Sequence, residues 1–222
     1  MRMRRKPNLE TRVEKCAHFL ISDPISLRGR WRNEFMRDEV HIELGCGKGR
    51  FTLETAKSEP NILHVALEKI TNILVFALEL ADREGAENVR FINALADELT
   101  NFFAPGEVAR IYLNFCDPWP GRKREKRRLT SQRFLALYSK VLQPGGEIQF
   151  KTDNLPLFEF SLREFERCGF VLLEETRDLH KNGPVGIMTD YELKFFNQGL
   201  PIYKCRATVG ETDGKPNLLR DM

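Results

Sequence analysis

Short runs of β-branched and apolar residues alternate along this chain with longer stretches whose apolar residues recur at helical spacing. The runs predict seven strands, at 40–44, 63–67, 89–92, 108–113, 147–151, 171–174 and 202–209. The helical stretches are 51–57, 70–83, 131–142 and 155–168. Because helices separate most of the strands, the pattern predicts an α/β fold in which a mostly parallel seven-stranded sheet carries helices on both faces. No clear crossover helix joins the last two strands, so we expect the last strand to be antiparallel.

The length and composition fit one cytoplasmic domain. The chain has 222 residues, enough for a well-buried core, and 41% of them are apolar. We expect residues 1–35 to form a basic N-terminal extension and residues 36–222 to form the domain itself. No apolar run approaches the length of a membrane span, and no apolar segment follows the basic start as in a signal peptide. We therefore expect a cytoplasmic protein without membrane contact, as either a monomer or a homodimer.

The cysteines and histidines argue against disulfides and metal. Five cysteines are scattered along the chain, and none belongs to a Cys-x-x-Cys pair. The four histidines show no close pairing in the sequence. This usage is typical of a reducing compartment, and we expect no metal.

The net charge of +3 hides two concentrated basic segments. Residues 1–6 carry four positive charges, and residues 122–128 carry six positive charges and one negative charge. The rest of the chain is acidic, with a net charge of about −6. Basicity focused in this way is typical of a surface that contacts a phosphate backbone, although an exposed basic loop without that role would look the same.

A glycine-rich turn follows the first predicted strand and leads into the first predicted helix. Segment 43–49 reads Glu-Leu-Gly-Cys-Gly-Lys-Gly, so Gly45 and Gly47 fall at alternate positions after Glu43. Glycine permits positive φ and lets backbone amides approach a ligand closely. The spacing is neither that of a P-loop nor that of Gly-x-Gly-x-x-Gly. Glu68 ends the second predicted strand, where a carboxylate can accept hydrogen bonds from both hydroxyls of a ribose. Together these features predict an adenosine-type cofactor.

The acid that precedes this turn distinguishes between cofactors. A dinucleotide places its pyrophosphate at the helix N-terminus, where Glu43 would repel it. S-adenosylmethionine carries a sulfonium and an ammonium instead, and a carboxylate attracts both. The turn resembles the first motif of the Rossmann-like, class I S-adenosylmethionine-dependent methyltransferases. We therefore expect S-adenosylmethionine as the cofactor.

Two further acids lie at neighbouring strand ends. Asp117 follows the fourth predicted strand, in a turn that Pro118 and Pro120 stiffen, and Asp153 follows the fifth strand. These carboxylates would face one crevice, where they could accept the N–H groups of a guanine edge. Methylation of guanine at N7 needs no base, and it leaves a positive charge on the ring that carboxylates stabilise. Asp153 could instead cap the following helix, and Trp119 could either stack on a base or cover the sheet edge.

Several segments together resemble the bacterial tRNA (guanine-N7-)-methyltransferases. The resemblance covers nearly the whole chain, through 1–7, 42–49, 66–68, 112–120, 125–130, 150–154 and 189–192. Its most specific part is Asp-Pro-Trp-Pro at 117–120, followed by Lys-Arg-Arg-Leu at 126–129. It implies transfer of a methyl group from S-adenosylmethionine to N7 of a guanosine in the variable loop of tRNA. The alternatives are a methyltransferase of this class with another RNA, a protein or a small molecule as substrate, and a non-catalytic RNA-binding protein on the same scaffold.

The resemblance also implies roles for individual residues. Catalytic positions would be those of Asp117 and Asp153. Cofactor contacts would come from Glu43, Gly45, Gly47, Glu68, Asn93, Leu95 and Asp117. Substrate contacts would come from Asp153, Thr189, Asp190, Tyr191 and Glu192. RNA contacts would come from Lys123, Arg124, Glu125, Lys126, Arg127 and Arg128.

The chain departs from the family pattern in two places. Leu95 stands where the family often has an acid near the adenine, so Asn93, Asp97 or backbone groups could hold the adenine amino group. Gly121 stands where lysine often follows Asp-Pro-Trp-Pro, and Arg122 or Lys123 could take the role of that lysine.

Overall fold

The computed structural model of the chain describes residues 6–210 and contains a seven-stranded sheet. Its strands are β1 (Glu39–Leu44), β2 (Ile62–Leu67), β3 (Val89–Ile92), β4 (Val108–Asn114), β5 (Leu142–Thr152), β6 (Phe170–Thr176) and β7 (Tyr203–Val209). They lie in the order β3-β2-β1-β4-β5-β7-β6. Strands β1 to β5 are parallel, and β7 pairs antiparallel with both β5 and β6. The predicted sheet is confirmed, including its antiparallel last strand.

Helices connect these strands and precede the first of them. They are α1 (Leu9–Lys15), α2 (Trp31–Phe35), α3 (Arg50–Ser58), α4 (Thr71–Glu84), α5 (Leu99–Phe102), α6 (Gln132–Val141), α7 (Leu155–Arg167) and α8 (Asp190–Asn197). Short 3-10 helices lie at Ala17–Phe19, Ile25–Leu27, Ala96–Glu98 and Arg122–Arg127. The four predicted helices correspond to α3, α4, α6 and α7. Within residues 6–210, no helix has both the length and the apolar character needed to cross a membrane.

Apolar side chains alternate along the strands and form a core on each face of the sheet. On one face, Val65 and Leu67 of β2 pack in a cluster that includes residues of α5, α6 and α7. On the other face, Ala66 of the same strand packs in a cluster with α3 and α4. Helices therefore cover both faces, as the sequence predicts.

The described part of the N-terminal extension shares this core. The Trp31 side chain is fully buried, and its Nε1 donates a hydrogen bond to the Phe102 carbonyl at 2.9 Å. The backbone N–H of Trp31 donates to the Glu107 carboxylate at 3.0 Å. Residues 1–5, which hold most of the predicted basic start, and residues 211–222 lie outside the described residues.

Strand β5 begins earlier than the sequence predicts. Pro144 and the two glycines after it predict a turn, yet α6 ends at Val141 and β5 begins at Leu142. Leu142 pairs with Val108, and the register then shifts before Arg110. This irregularity accommodates the extra residues, as β-bulges do.

Candidate functional site

A cleft opens at the carboxyl ends of the central strands, where parallel sheets of this kind bind ligands. This main cleft has a volume of about 500 Å³, and the ends of β1, β2 and β4 contribute to it with the loop after β3. A side cleft of about 380 Å³ shares Gly45 and Phe115 with it. The main cleft contains the predicted residues Gly45, Glu68, Leu95, Asp117 and Arg127. The side cleft contains Glu43, Gly45, Gly47, Thr189, Asp190 and Tyr191.

The glycine turn after β1 needs glycine for two different reasons. Gly45, Gly47 and Gly49 have φ values of 79°, 59° and 81°, in the left-handed region that favours glycine. A Cβ atom on Gly49 would lie 2.7 Å from the Cβ of Ala77, so this glycine also allows α3 and α4 to pack closely. Side-chain atoms on Gly45 or Gly47 would point into open space, as judged from the described residues. Their absence keeps the turn open to a ligand.

Glu43 lies just before this turn, with its carboxylate buried. One oxygen accepts a hydrogen bond from the Thr52 hydroxyl, and the other accepts from the Asn114 amide at 2.9 Å. Burial raises the pKa of Glu43, and these two donors partly oppose that effect. Because the side cleft reaches Glu43, a cation bound there would stabilise the buried negative charge.

Glu68, at the end of β2, has a carboxylate that the backbone holds in place. Its Oε2 accepts from the Gly47 N–H at 3.2 Å, and its Oε1 accepts from the Ile70 N–H at 2.9 Å. Each oxygen retains acceptor capacity for a ribose hydroxyl. The Asn93 amide donates to the Glu68 carbonyl at 2.7 Å, and its oxygen accepts from the Thr71 hydroxyl at 2.7 Å. Asn93 thus supports the backbone of Glu68, and it lines neither cleft.

The loop after β3 gives the main cleft an apolar wall. Leu95 lies there with 48% of its surface exposed, beside Ala94 and Ala96. Asp97 also lines the cleft, and its carboxylate forms an ion pair with Arg133. The acid missing at position 95 therefore has a counterpart in Asp97, but the guanidinium of Arg133 neutralises it.

The turn after β4 holds Asp117 in a strained and well-fixed backbone. Phe115 and Trp119 have φ values of 51° and 39°, which residues other than glycine rarely adopt. The Arg128 guanidinium donates to the carbonyls of Pro118 and Trp119, at 2.9 and 3.2 Å. Asp117 is exposed in the main cleft, and its side chain accepts no hydrogen bond from the described part of the chain. The carboxylate is therefore available to a substrate.

Asp153 lies near Tyr191 and outside the lining of the main cleft. Burial, and then the charge of Asp153, raise the pKa of Tyr191. The cap of α7 comes from Asn154, whose Oδ1 accepts from the Leu157 N–H at 2.8 Å. Asp153 therefore does not cap this helix, and no described residue donates a hydrogen bond to its side chain.

A capping box fixes the start of α8. The Thr189 hydroxyl accepts from the Glu192 N–H at 2.9 Å, and the Glu192 carboxylate accepts from the Thr189 N–H at 3.2 Å. Glu192 is fully buried, and its carboxylate also accepts from Lys151 Nζ at 2.6 Å and lies 3.0 Å from His180 Nε2. It lines neither cleft. Glu192 supports α8 from inside the protein, and its predicted substrate contact stays a prediction.

The exposed residues of α8 complete the wall of the side cleft. The ring of Tyr191 lies 5.2 Å from that of Phe115, centroid to centroid. Asp190 forms an ion pair with Arg50 at 3.0 Å, across the side cleft from the glycine turn to α8. These contacts bring Asp190 to the start of α3, beside the glycine turn, and Tyr191 to the turn after β4.

The basic strip at 122–128 divides into surface cations and a structural pair. Lys123, Arg124, Lys126 and Arg127 are exposed. Arg127 stacks on Trp119, with its guanidinium carbon 3.6 Å from the ring centroid. The Arg128 side chain is only 11% exposed, and Glu125 pairs with it at 3.6 Å. Arg128 and Glu125 therefore stabilise the Asp117 turn, and the RNA contacts that the sequence predicts for them stay predictions.

Sequence reasoning missed Lys151, the buried partner of Glu192. Its side chain is 3% exposed, donates to the Ile187 carbonyl at 3.1 Å and lies 4.9 Å from the centroid of the Phe51 ring. Burial lowers the pKa of Lys151, and the charge of Glu192 opposes that effect. The sequence did contain a signal, because Lys151 is a charged residue at the end of a predicted strand. The structure shows that its neighbours Phe150 and Thr152 are buried as well.

Comparisons with known proteins agree with this geometry. A family model described as a putative methyltransferase matches residues 37–205. The tRNA (guanine-N(7)-)-methyltransferases of Geobacillus kaustophilus (strain HTA426) and Bacillus velezensis (strain FZB42) are each 46% identical to this chain over 209 residues. The match covers 93% of this chain and 96% of each relative.

Solved structures share the fold at much lower identity. The 16S rRNA methyltransferase KamB has a TM-score of 0.64 and 16% identity, over 83% of this chain and 95% of that chain. A mutant of the 16S rRNA (adenine(1408)-N(1))-methyltransferase from Catenulisporales acidiphilia, solved with its cosubstrate S-adenosylmethionine, has a TM-score of 0.58 and 12% identity, over 88% and 95% of the two chains. These likenesses establish a class I methyltransferase fold. Together with the full-length similarity to its relatives, they show that the chain belongs to the tRNA (guanine-N(7)-)-methyltransferase family.

Proposed function

We propose that this protein transfers the methyl group of S-adenosylmethionine to N7 of a guanosine in the variable loop of tRNA, in the cytoplasm. One observation carries the proposal: the backbone-held carboxylate of Glu68 and the unpartnered carboxylate of Asp117 line one cleft within the described residues. Relatives with the corresponding name, 46% identical over 93% of the chain, support the tRNA substrate. A structural neighbour with S-adenosylmethionine as its cosubstrate supports the methyl donor.

The residues of the two clefts fit this cofactor. Glu68 offers acceptors to the ribose hydroxyls, and Leu95 offers an apolar surface to the adenine ring. Gly45 and Gly47 leave room for the amino-acid end. The buried charge of Glu43 favours a cationic ligand and disfavours a phosphate. When bound, S-adenosylmethionine supplies a methyl group on a positively charged sulfur.

Asp117 and Asp153 are the carboxylates that would act on the guanine. The N7 lone pair forms the new bond to the methyl carbon while the carbon–sulfur bond breaks and its electron pair stays on sulfur. The positive charge thereby moves to the purine ring, and no proton needs to be removed. Asp117 in the main cleft would stabilise that charge, and Asp153 near Tyr191 would accept from the N–H groups of the guanine edge.

The exposed cations of the basic strip would hold the tRNA backbone. Arg127 and Trp119 both line the main cleft, so the strip extends from the cleft to the surface. Lys123, Arg124 and Lys126 lie on the exposed part of the same 3-10 helix. A phosphate backbone bound along this strip would deliver its base to Asp117.

The direct test is incubation with methyl-labelled S-adenosylmethionine and an unmodified tRNA transcript, followed by digestion and mass spectrometry of the nucleosides. We expect labelled 7-methylguanosine from the variable loop. Glu68→Ala should abolish the labelling through loss of cofactor binding, whereas Asp178→Asn, at an exposed site after β6, should retain it. Label at any other atom would contradict the proposal.

A further inference from the structure

Two histidines are direct neighbours near the amino ends of β1 and β2, away from the strand ends that form the main cleft. His41 of β1 pairs in register with His64 of β2. Both side chains are 3% exposed, and their rings meet edge to face with centroids 5.4 Å apart. The sequence predicts no close pairing of histidines, because the register of parallel strands is not visible in sequence spacing. Glu59, which follows α3, approaches both rings.

The donor atoms of these residues converge at distances that fit a metal ion. Glu59 Oε2 lies 3.4 Å from His41 Nδ1 and 3.2 Å from His64 Nε2. One donor atom from each of the three residues lies within 4.8 Å of the others. A tetrahedral Zn²⁺ ion, with bonds of about 2.1 Å, holds neighbouring ligand atoms about 3.4 Å apart. The two measured separations fit edges of such a tetrahedron.

Glu59 lies at ion-pairing distance from both rings, but no well-formed hydrogen bond joins its Oε2 atom to either of them. His64 Nε2 and Glu59 Oε2 are buried, and neither has a hydrogen-bond partner of suitable geometry among the described residues. A neutral imidazole and an ionised carboxylate are the forms that bind a metal.

A further carboxylate orients the His41 ring. Its Nε2 lies 3.2 Å from Glu39 Oε2. Metal-bound histidines usually donate their second ring N–H to a carboxylate, a backbone carbonyl or water, which fixes the tautomer. With the proton on Nε2, His41 Nδ1 has a free lone pair, and both Glu59 Oε2 and the Tyr112 hydroxyl lie within 3.5 Å of it.

The surrounding charges favour a cation. Arg110 Nη1 lies 4.0 Å from Glu59 Oε1, and its Nη2 lies 3.6 Å from Glu147. Arg206 also pairs with Glu147, at 3.3 Å, so the three carboxylates of Glu39, Glu59 and Glu147 face two guanidiniums around the cluster. The side chains of Glu59 and Glu39 are 28% and 44% exposed, so an ion can reach the site from solvent.

We propose that His41, His64 and Glu59 bind one Zn²⁺ ion, with water as the fourth ligand. The ion ties the end of α3 to β1 and β2. Helix α3 follows the glycine turn and also carries Thr52, whose hydroxyl donates to Glu43. The proposed metal site would therefore stabilise the helix that supports Glu43. Its role is structural, and it takes no part in methyl transfer.

The test uses the full chain without an affinity tag, stripped of metal with a chelator and titrated with Co²⁺ and Zn²⁺. We expect one Co²⁺ per chain, with the visible absorption of tetrahedral nitrogen and oxygen ligation. Saturating Zn²⁺ should raise the melting temperature by about 5 °C or more. Absence of stoichiometric binding, or a near-ultraviolet thiolate-to-cobalt band, would overturn the proposal.

Two conservative variants and one control assign the ligands. Glu59→Gln and His64→Gln should weaken Zn²⁺ binding by about 100-fold or more, as measured by competition with a chromophoric chelator. The control His18→Gln changes an exposed histidine that pairs with Asp82, and it should keep the parent affinity. Parent affinity in both ligand variants would place the ion elsewhere and overturn the assignment. If either variant fails to fold, the stoichiometry and spectrum of the parent chain still decide.

Discussion

Asp117 and Glu192 are both carboxylates in segments that resemble the family, yet the fold uses them in opposite ways. Asp117 is exposed in the main cleft and accepts no hydrogen bond within residues 6–210. Glu192 is fully buried and bonded to Lys151 and His180. Of these two acids, only Asp117 is exposed in the described structure. Sequence position predicts the role of Asp117, because a residue that ends a parallel strand must lie at the ligand edge. It does not reveal that the third residue of α8 turns inward.

The exposed position of Asp117 predicts a variant that loses chemistry without losing the fold. Asp117→Asn removes the negative charge that would stabilise the methylated guanine, so kcat should fall by about 100-fold or more. The melting temperature should stay within about 1 °C of the parent, since no described residue bonds to the side chain. Labelled methyl transfer and thermal melting check the two parts. Parent-like kcat would remove Asp117 from the catalytic centre.

Replacement of Glu43 should have a different result from replacement of Asp117. We expect the variant to be more stable than the parent and to bind the cofactor more weakly. Glu43→Gln replaces a buried charge with a neutral side chain of the same shape. The Asn114 Oδ1 atom lacks a hydrogen-bond partner within the described chain, so a flipped Asn114 amide could accept from the new glutamine. Stability without cofactor should rise by about 1 kcal/mol at pH 7. Affinity for S-adenosylmethionine should fall by about 10-fold or more.

The pH dependence of that gain follows from the direction of the shift. The folded state raises the pKa of Glu43 above its ordinary 4.5, so the native protein holds this proton more tightly than the unfolded chain. Glu43 therefore costs little stability well below pH 4.5, destabilises the fold increasingly as the pH rises from 4.5 to the folded pKa, and has a constant cost above it. Melting curves of parent and Glu43→Gln should converge in acid and separate towards neutral pH. A constant difference would contradict the assignment of the effect to this ionisation.

At the scale of elements, the turn after β4 depends on one arginine from the basic strip. Arg128 donates two hydrogen bonds to the carbonyls of Pro118 and Trp119, and its guanidinium lies 4.3 Å from the Phe160 ring centroid. The strip therefore has an inner end that shapes the cleft and an outer part that faces solvent. A charge count along the sequence cannot separate them, since Arg127 and Arg128 are adjacent residues of the same type.

This division predicts that Arg128→Lys impairs the turn although it preserves the charge. Lysine lacks the planar fork that spans two carbonyls, so Asp117 should lose its fixed position and kcat should fall by about 10-fold. Acrylamide quenching of fluorescence should increase, and it reports Trp119 because the other tryptophan, Trp31, is fully buried. The control Arg124→Lys, at an exposed position, should change neither measurement. Equal effects of the two variants would contradict a structural role for Arg128.

The elements themselves were predictable to the extent that each follows from local pattern. The short apolar runs predict β1, which contains Glu43 near its end, and β2, which Glu68 directly follows, and this is why both residues reach the clefts. The sequence prediction missed the start of α8, although Thr189-Asp-Tyr-Glu192 has the local pattern of a capping box. The ion pair of Glu192 with the buried Lys151 of β5 has no such local signal. The pairing of His41 with His64 depends on register between separate strands, which no local pattern encodes.

At the scale of the whole molecule, Lys6 and the second basic segment, 122–128, both lie near the clefts. Lys6, the described residue of the first segment, lies 5.4 Å from the Phe76 ring centroid, and Lys48 of the glycine turn lies 5.8 Å from the same ring. The second segment reaches the main cleft through Arg127. Positive charge is thus gathered beside the site, on a molecule that is acidic elsewhere, and this favours a polyanion as the substrate.

Salt dependence provides the last prediction, because it counts the cations that contact phosphate. Arg124→Gln combined with Lys126→Gln should weaken tRNA binding, and it should flatten the slope of log K against log salt concentration by about 1.5. The matched control, Arg163→Gln combined with Arg167→Gln, removes two exposed cations from α7 and should leave the slope unchanged. Binding measured by filter retention between low and moderate salt distinguishes the two pairs. An equal change of slope in both would mean that tRNA contacts the protein through its overall charge and not through the strip at 122–128.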